Sequence, residues 1–314
     1  MTLPLVVCLT VLFPLASMFL ARPIAARTDP RWGTWLLTGA AVALAACSGL
    51  ALTLVTFAAL VRVPFVAALG RWSPAVIDRG DTTSAVLAIV TGLLLGMALT
   101  AAARFALRRG RALAEAFRHA RGLPGRGQVV VTSDAAADAY TVPGRPGRIV
   151  VSTGMLDSLD DVGRVALLAH ERAHLSGQHY AFTSAARLAA ATNPLLRPLA
   201  EAVEFTVERW ADECAARVVG DRRLVAETIA RAAVAAKHGG RRRWSAAMLG
   251  AVFPRPDGGP GPVPRRVAAL LAPPPRRRWI LQAAVVAIAL AAGVLAVEAA
   301  RDMHELLETA RYPR

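Results

Sequence analysis

Four long apolar runs without a charged residue constrain this chain more than any other feature of its sequence. They are Leu3–Leu20, Trp35–Val61, Ser84–Ala103 and Trp279–Val297. A helix of about 20 residues crosses the hydrocarbon core of a bilayer, and each run is about that long or longer. Hydrophobic residues make up 55% of the chain and its mean hydropathy is +0.42, values too high for an ordinary soluble protein. The sequence therefore predicts a multi-pass membrane protein with four transmembrane helices.

The distribution of arginine predicts how these helices are oriented. Arg104–Arg278, between the third and fourth runs, holds 28 basic and 15 acidic residues. Since positive charge near membrane spans favours the cytoplasmic side, we expect this segment in the cytoplasm and both termini outside. The first run has no basic residues before it, which favours a retained span over a signal peptide. We expect a three-span region at 1–107, a cytosolic domain at 108–278, and a fourth span with a short extracytoplasmic tail at 279–314.

The net charge of +15 does not by itself indicate a nucleic-acid partner. A basic surface can bind nucleic acid, but no helix-turn-helix pattern or interleaving of aromatic residues accompanies the arginines here. We therefore predict membrane lipid as a partner and no direct contact with nucleic acid. The three cysteines, Cys8, Cys47 and Cys214, are too scattered for a disulfide framework or a cysteine-based zinc site.

The segment between the third and fourth runs contains His170-Glu171-Arg172-Ala173-His174, the pattern HExxH. On a helix, positions i and i+4 lie on one face, so the two imidazoles can share one tetrahedral Zn²⁺. Glu171 can then act as a general base toward metal-bound water. The apolar residues Val165–Ala169 supply the buried face of such a helix. The alternative is a surface helix with two unrelated histidines.

A third metal ligand is expected because catalytic zinc sites commonly take three protein ligands. The stretch ERWAD offers it: Glu208 would bind the metal, and Asp212, one turn later, would hydrogen-bond a zinc-bound histidine and orient it. Glu204 competes for the ligand role because it lies one turn before Glu208. His179 follows His174 by five residues, so we expect it to point elsewhere, either behind the ligands or on the surface.

The same segment predicts a small β-sheet followed by helices. Three β-rich runs are Gln128–Thr132, the edge strand Ala139–Gly144, and Gly147–Ser152. Asp157–Asp161 offers capping groups for the motif helix. Further helices are expected at Tyr180–Thr192, Leu199–Val219, Arg222–Lys237 and Arg265–Leu271, with a loop at Gly239–Pro264. The predicted fold is mainly α with a small β-sheet.

The motifs taken together resemble those of the integral-membrane gluzincin peptidases. The shared features are HERAH, the preceding AYTVPGRPGRIVVSTGMLDSL, the following NP, ExxAD and RRVAALL. Four spans with a peptidase domain between the third and fourth resemble the plan of the BlaR/MecR-like antirepressor receptors. HtpX-like and CAAX prenyl endopeptidases are similar in HExxH and a downstream ExxxD. The resemblance implies that His170, His174 and Glu208 hold Zn²⁺, that Glu171 is the catalytic base, and that Tyr140–Pro143 pairs with an extended substrate.

The function implied by this resemblance is zinc-dependent endoproteolysis at the cytoplasmic face of the cell membrane. The substrate would be a protein or peptide, and in the antirepressor group it would be a winged-helix repressor of the BlaI/MecI type. The receptors carry a penicillin-binding domain after the fourth span, where this chain has Arg301–Arg314, so direct β-lactam sensing is not expected. HtpX-like quality control of membrane proteins and a non-catalytic signalling scaffold are the alternatives. His179 leaves the subfamily open, because HtpX-like enzymes often have histidine there and the antirepressor group often has aspartate.

Overall fold

The computed structural model describes residues 3–70, 72, 85–122, 127–144, 147–238, 262–273 and 279–311. These residues form helices and one three-stranded sheet, which confirms the predicted fold class. The predicted loop Gly239–Pro264 lies outside the described residues except for its last three, which begin a helix. Arg276–Arg278, used for the predicted orientation, also lies outside them.

Four described helices are long and apolar enough to cross a membrane, as predicted: Pro4–Arg27, Pro30–Leu60, Val86–Gly122 and Trp279–Arg311. The first consists of α1 (Leu3–Val7), a π-helical turn (Cys8–Leu12) and α2 (Phe13–Arg27). The others are α3 (Pro30–Leu60), α5 (Ala85–Gly122) and α12 (Trp279–Arg311), and the short α4 is Pro64–Gly70. The predicted domain boundary at residues 107 and 108 falls within α5, which continues without interruption, so the division into domains stays a prediction.

The sheet contains β1 (Val129–Thr132), β2 (Ala139–Val142) and β3 (Arg148–Ser152) in the order β1-β3-β2. β1 runs parallel to β3, whereas β2 pairs with β3 in antiparallel register, with Tyr140 opposite Val150. The predicted edge position of β2 is therefore confirmed.

The helices that follow are α6 (Thr153–Asp157), α7 (Asp161–Ser176), α8 (His179–Thr192), α9 (Arg197–Val219), α10 (Arg222–His238) and α11 (Pro262–Leu271). The motif helix α7 begins where the sequence predicts, because Asp160 accepts a hydrogen bond of 2.7 Å from the backbone N–H of Gly163. This bond, more than any other contact, lowers the pKa of the Asp160 carboxyl.

The main hydrophobic core joins the apolar spans to the two helices that follow the motif. Leu37 and Leu44 of α3 share it with Ala189 of α8 and with Leu199 and Val203 of α9. A separate cluster packs α7 against the sheet through Leu167, Ile149 and Val151. The membrane spans therefore support α8 and α9 directly, while α7 packs against the sheet and, through Ala166 and Ala169, against α9.

Candidate metal centre

The two histidines of the motif lie on one face of α7, as the spacing predicts. Their Nε2 atoms are 3.1 Å apart. Burial holds the pKa of His174 well below its usual value, which favours the neutral imidazole that a metal needs as a ligand. The motif is therefore part of an organised cluster, and the alternative of two unrelated surface histidines is wrong.

Glu208 of α9 completes a group of three possible metal ligands. Its Oε2 lies 3.7 Å from His170 Nε2, and its Oε1 lies 3.5 Å from His174 Nε2. Two ligands of a tetrahedral zinc with bonds of about 2.0–2.1 Å are roughly 3.3 Å apart, close to all three observed separations. One ligand atom from each residue lies within 4.8 Å of the others. The donor set therefore fits zinc held by two imidazoles and one carboxylate.

Glu204, the competing candidate, is engaged elsewhere. Its Oε1 forms an ion pair with Nε of Arg187 on α8, and Glu204 is absent from the ligand group found among the described residues. Since Glu204 and Glu208 lie one turn apart on the same helix, their spacing alone could not separate them. The packing of α9 against α7 brings Glu208, and not Glu204, close to the two histidines.

Asp212 lies behind the ligands, in the position expected for it. Its Oδ1 is 3.0 Å from His170 Nδ1, which leaves Nε2 of that imidazole facing the ligand group. Burial alone would lower the pKa of His170, but the adjacent carboxylate of Asp212 raises it overall. Burial alone would raise the pKa of Asp212, yet its cationic partner Arg266 and the adjacent His170 hold that pKa far below its usual value.

His179 does not reach the surface, so that part of the expectation is wrong. The helix α7 ends at Gly177, and Gln178 adopts a left-handed conformation with φ of 49°, so α8 starts in a new direction. His179 is only 1% exposed, and its Nδ1 lies 3.0 Å from His174 Nδ1. Burial and the neighbouring His174 lower the pKa of His179 to about 3, which keeps its imidazole neutral. It therefore orients His174 much as Asp212 orients His170.

Gly177 makes room for this second histidine contact. A Cβ added at Gly177 would lie 2.4 Å from His179 Nε2 and 2.9 Å from the carbonyl oxygen of Ala173. Only glycine fits the turn without moving the imidazole.

Glu171, the expected base, lines the same cavity as the ligands and is only 8% exposed. Burial is the main reason that its pKa rises to about 7. A carboxyl with such a pKa can exchange a proton readily near neutral pH.

Arg266 of α11 is the site residue that the sequence reasoning missed. Its Nε and Nη2 donate to Oδ2 and Oδ1 of Asp212 at 2.8 and 2.6 Å, and its Nη1 lies 2.7 Å from Oε2 of Glu208. The buried carboxylate of Asp212 and the partly buried one of Glu208 require a cation, but the chain has 36 arginines, and no local pattern singles out this one. The stretch RRVAALL contains it, and its role becomes visible only in the packed structure.

A cavity of about 910 Å³ opens onto the ligand group. Residues Ala139–Thr141 of the edge strand form part of its wall. The apolar residues of its lining come mainly from α6, α7 and α10 and include Met155, Leu167, Val225, Ile229 and Ala233. The polar residues of its lining from α8 and α9 include Thr183, Arg187, Glu201 and Glu204. The arrangement can accommodate an extended chain across Glu171 and the three ligands.

A comparison with protein families bears on this geometry. Residues 106–192 match Peptidase family M48. The matched part covers the sheet, α7 with the HExxH pattern, and α8, but it ends before Glu208 and spans under a third of the chain. No curated protein and no solved structure gives a significant match. The family match and the four apolar helices together support a membrane metallopeptidase, while the roles of Glu208, Asp212 and Arg266 rest on the geometry alone.

Proposed function

We propose that this protein is a membrane-bound zinc endopeptidase whose metal is held by His170, His174 and Glu208. The observation that carries the proposal is the convergence of these three groups, from two different helices, beside the buried Glu171. When bound, zinc supplies a Lewis acid and lowers the pKa of a water molecule to about 7. The family match over residues 106–192 supports the same reaction class.

The chain's own residues account for the proton movements of peptide hydrolysis. Glu171 accepts a proton from the attacking water and passes it to the nitrogen of the leaving amine. Asp212 and His179 each hold one ligand imidazole through its Nδ1, so that its Nε2 faces the ligand group. Arg266 compensates the charge of the Asp212 and Glu208 carboxylates.

The substrate is an extended polypeptide that adds to the edge of the sheet at β2. Residues Ala139–Thr141 both form that edge and line the cavity, so a paired chain would pass over the ligand group. The apolar residues that line the cavity are suited to a large apolar side chain of the substrate.

The test of this proposal is the Glu171→Gln variant, which keeps the size of the side chain but cannot accept a proton. We expect it to bind zinc like the unaltered protein and to lose at least about a hundredfold in cleavage rate. Persistent cleavage would show that Glu171 is not the base. An unaltered protein that binds no zinc would favour the non-catalytic scaffold.

Within this function, we propose that the peptidase faces the cytoplasm and cleaves a winged-helix repressor of the BlaI/MecI type. The charge distribution of Arg104–Arg278 supports the orientation. The plan of four spans, with the ligand group between the third and fourth, supports the antirepressor role. Cleavage of a purified repressor of this type, abolished by Glu171→Gln, would support it, and an intact repressor would count against it.

Quality-control proteolysis of membrane proteins is a second candidate, which the position of the cavity favours. The helices α8 and α9, which line part of the cavity, share a core with the apolar spans. A substrate emerging from the bilayer would therefore meet the cavity close to the spans. Cleavage of a membrane protein in the same vesicles, with a soluble repressor left intact, would favour this candidate.

A further inference from the structure

We propose that Arg209 is a positioning residue through which the first membrane span holds the third metal ligand in place. This inference rests on the proposed zinc centre and concerns how that centre is assembled. Arg209 directly follows Glu208 on α9 and is only 3% exposed, although arginine seldom lies buried without partners.

The partners of Arg209 are backbone carbonyls at the end of the first span. Its Nη1 donates to the carbonyl oxygen of Ala25 at 2.6 Å, to that of Thr28 at 3.3 Å, and to that of Ala26 at 3.4 Å. The last carbonyls of a helix have no partner within it, and a cation there also interacts favourably with the helix dipole. One guanidinium therefore joins the end of α2 to the turn of α9 that carries Glu208.

Hydrogen bonds of Thr206 and Asn193 also fix α9 and the turn before it to the spans. Thr34 of α3 donates to the hydroxyl of Thr206 at 3.0 Å, one turn before Arg209. Asn193, in the turn between α8 and α9, donates to the carbonyl oxygen of Thr10 at 3.0 Å and to the hydroxyl of Ser48 at 3.2 Å. Arg209 is the contact nearest to the metal ligands, and Asn193 is the most distant.

The other two ligands lie on a different helix. His170 and His174 belong to α7, which packs against the sheet through Leu167 and against α9 through Ala166 and Ala169. The helix α9 is in addition fixed to the first span by Arg209. Loss of this contact would free the turn that carries Glu208 to shift relative to the two histidines.

Zinc affinity is the quantity that tests this arrangement, because it reports on the position of Glu208 without requiring a substrate. In the full-length protein in detergent, we expect Arg209→Gln to weaken zinc binding about tenfold to a hundredfold, the range seen when residues that orient metal ligands are lost. The visible absorption of the cobalt-substituted protein should change with it, because the carboxylate would no longer hold its place. Arg209→Lys keeps a charged donor and should recover part of the affinity.

Two control variants separate positioning from general stability. Arg217→Gln makes the same change at an exposed site on α9, where the hydrogen bonds that the side chain makes within the described part of the chain go to Glu213 and Cys214 of the same helix. Asn193→Ala removes contacts with the spans far from Glu208. Both should bind zinc within about twofold of the unaltered protein, even where Asn193→Ala lowers the melting temperature.

The measurements distinguish an error in the positioning role of Arg209 from an error in the zinc centre itself. Unchanged zinc affinity in Arg209→Gln, or in Arg209→Lys if the first variant does not fold, would overturn the positioning role. An equal loss in Asn193→Ala would overturn it too, because the effect would then follow from weaker packing in general. If His170→Ala binds zinc as tightly as the unaltered protein, the zinc centre itself is wrong, which is a separate failure.

Discussion

Replacing Arg266 with glutamine removes the cation that compensates two carboxylates. One is Asp212, behind the ligand group, and the other is Glu208, a member of it. The Arg266 side chain is 12% exposed, and the Asp212 side chain is 2% exposed. The guanidinium contacts both carboxylate oxygens of Asp212 and Oε2 of Glu208. Breaking a buried ion pair by removing one partner leaves the other charge uncompensated, at a cost of about 3–5 kcal/mol. We therefore expect Arg266→Gln to lower the free energy of unfolding by about that amount in the metal-free protein.

Bound zinc should make the loss of unfolding free energy in Arg266→Gln smaller. A divalent cation beside Glu208 compensates the charge that the arginine leaves behind, whereas Asp212 still lacks its partner. The destabilisation should consequently be smaller in the zinc-loaded protein than in the metal-free protein. A destabilisation independent of zinc would mean that Arg266 supports α11 and has no electrostatic role at the ligand group.

The assay is unfolding of the purified protein in mixed micelles, with and without zinc, compared with Arg223→Gln. Arg223 is a suitable control because its contact with Glu227, at 3.5 Å, involves side chains that are 81% and 54% exposed. Ion pairs exposed in this way contribute about 0–1 kcal/mol. If Arg266→Gln is no more destabilising than Arg223→Gln, the argument from buried charge is wrong.

Two other predictions concern the ligands and the turn behind them. Glu208→Ala should weaken zinc binding far more than Glu204→Ala, because only the first removes a ligand; the reverse order in metal analysis would move the third ligand to Glu204. Gly177→Ala should displace His179, cost about 1–3 kcal/mol through overpacking, and weaken zinc binding. The matched control is Gly110→Ala, where an added Cβ meets nothing within 4 Å. Equal zinc affinities for the two alanine variants would show that the turn tolerates a side chain.

Features that depend on nearby residues could be read from the sequence. The four spans follow from uninterrupted apolar runs, and the three strands follow from short β-rich segments between turn residues. The start of α7 follows from the capping carboxylate of Asp160. The pairing of His170 with His174 follows from the helical repeat. Each of these depends on residues only a few positions apart, so a single chain suffices to predict them.

The remaining features depend on contacts between distant segments. Glu208 and Glu204 share one helix face, and only the angle at which α9 crosses α7 assigns one to the histidines and the other to Arg187. Of the two positions expected for His179, behind the ligands or on the surface, the structure has the first, because the helix is interrupted at Gln178.

Two arginines show most clearly that contacts between distant segments cannot be read from the sequence. Arg266 lies 54 residues from Asp212 along the chain, and Arg209 lies 184 residues from Ala25. In the sequence they are two among 36 arginines, and no local pattern distinguishes them from the others. Local periodicity is enough to predict the spans, the strands and the two-histidine motif. The contacts of Glu208, Arg209 and Arg266 depend on tertiary packing, because buried charges acquire their partners when separate helices pack together.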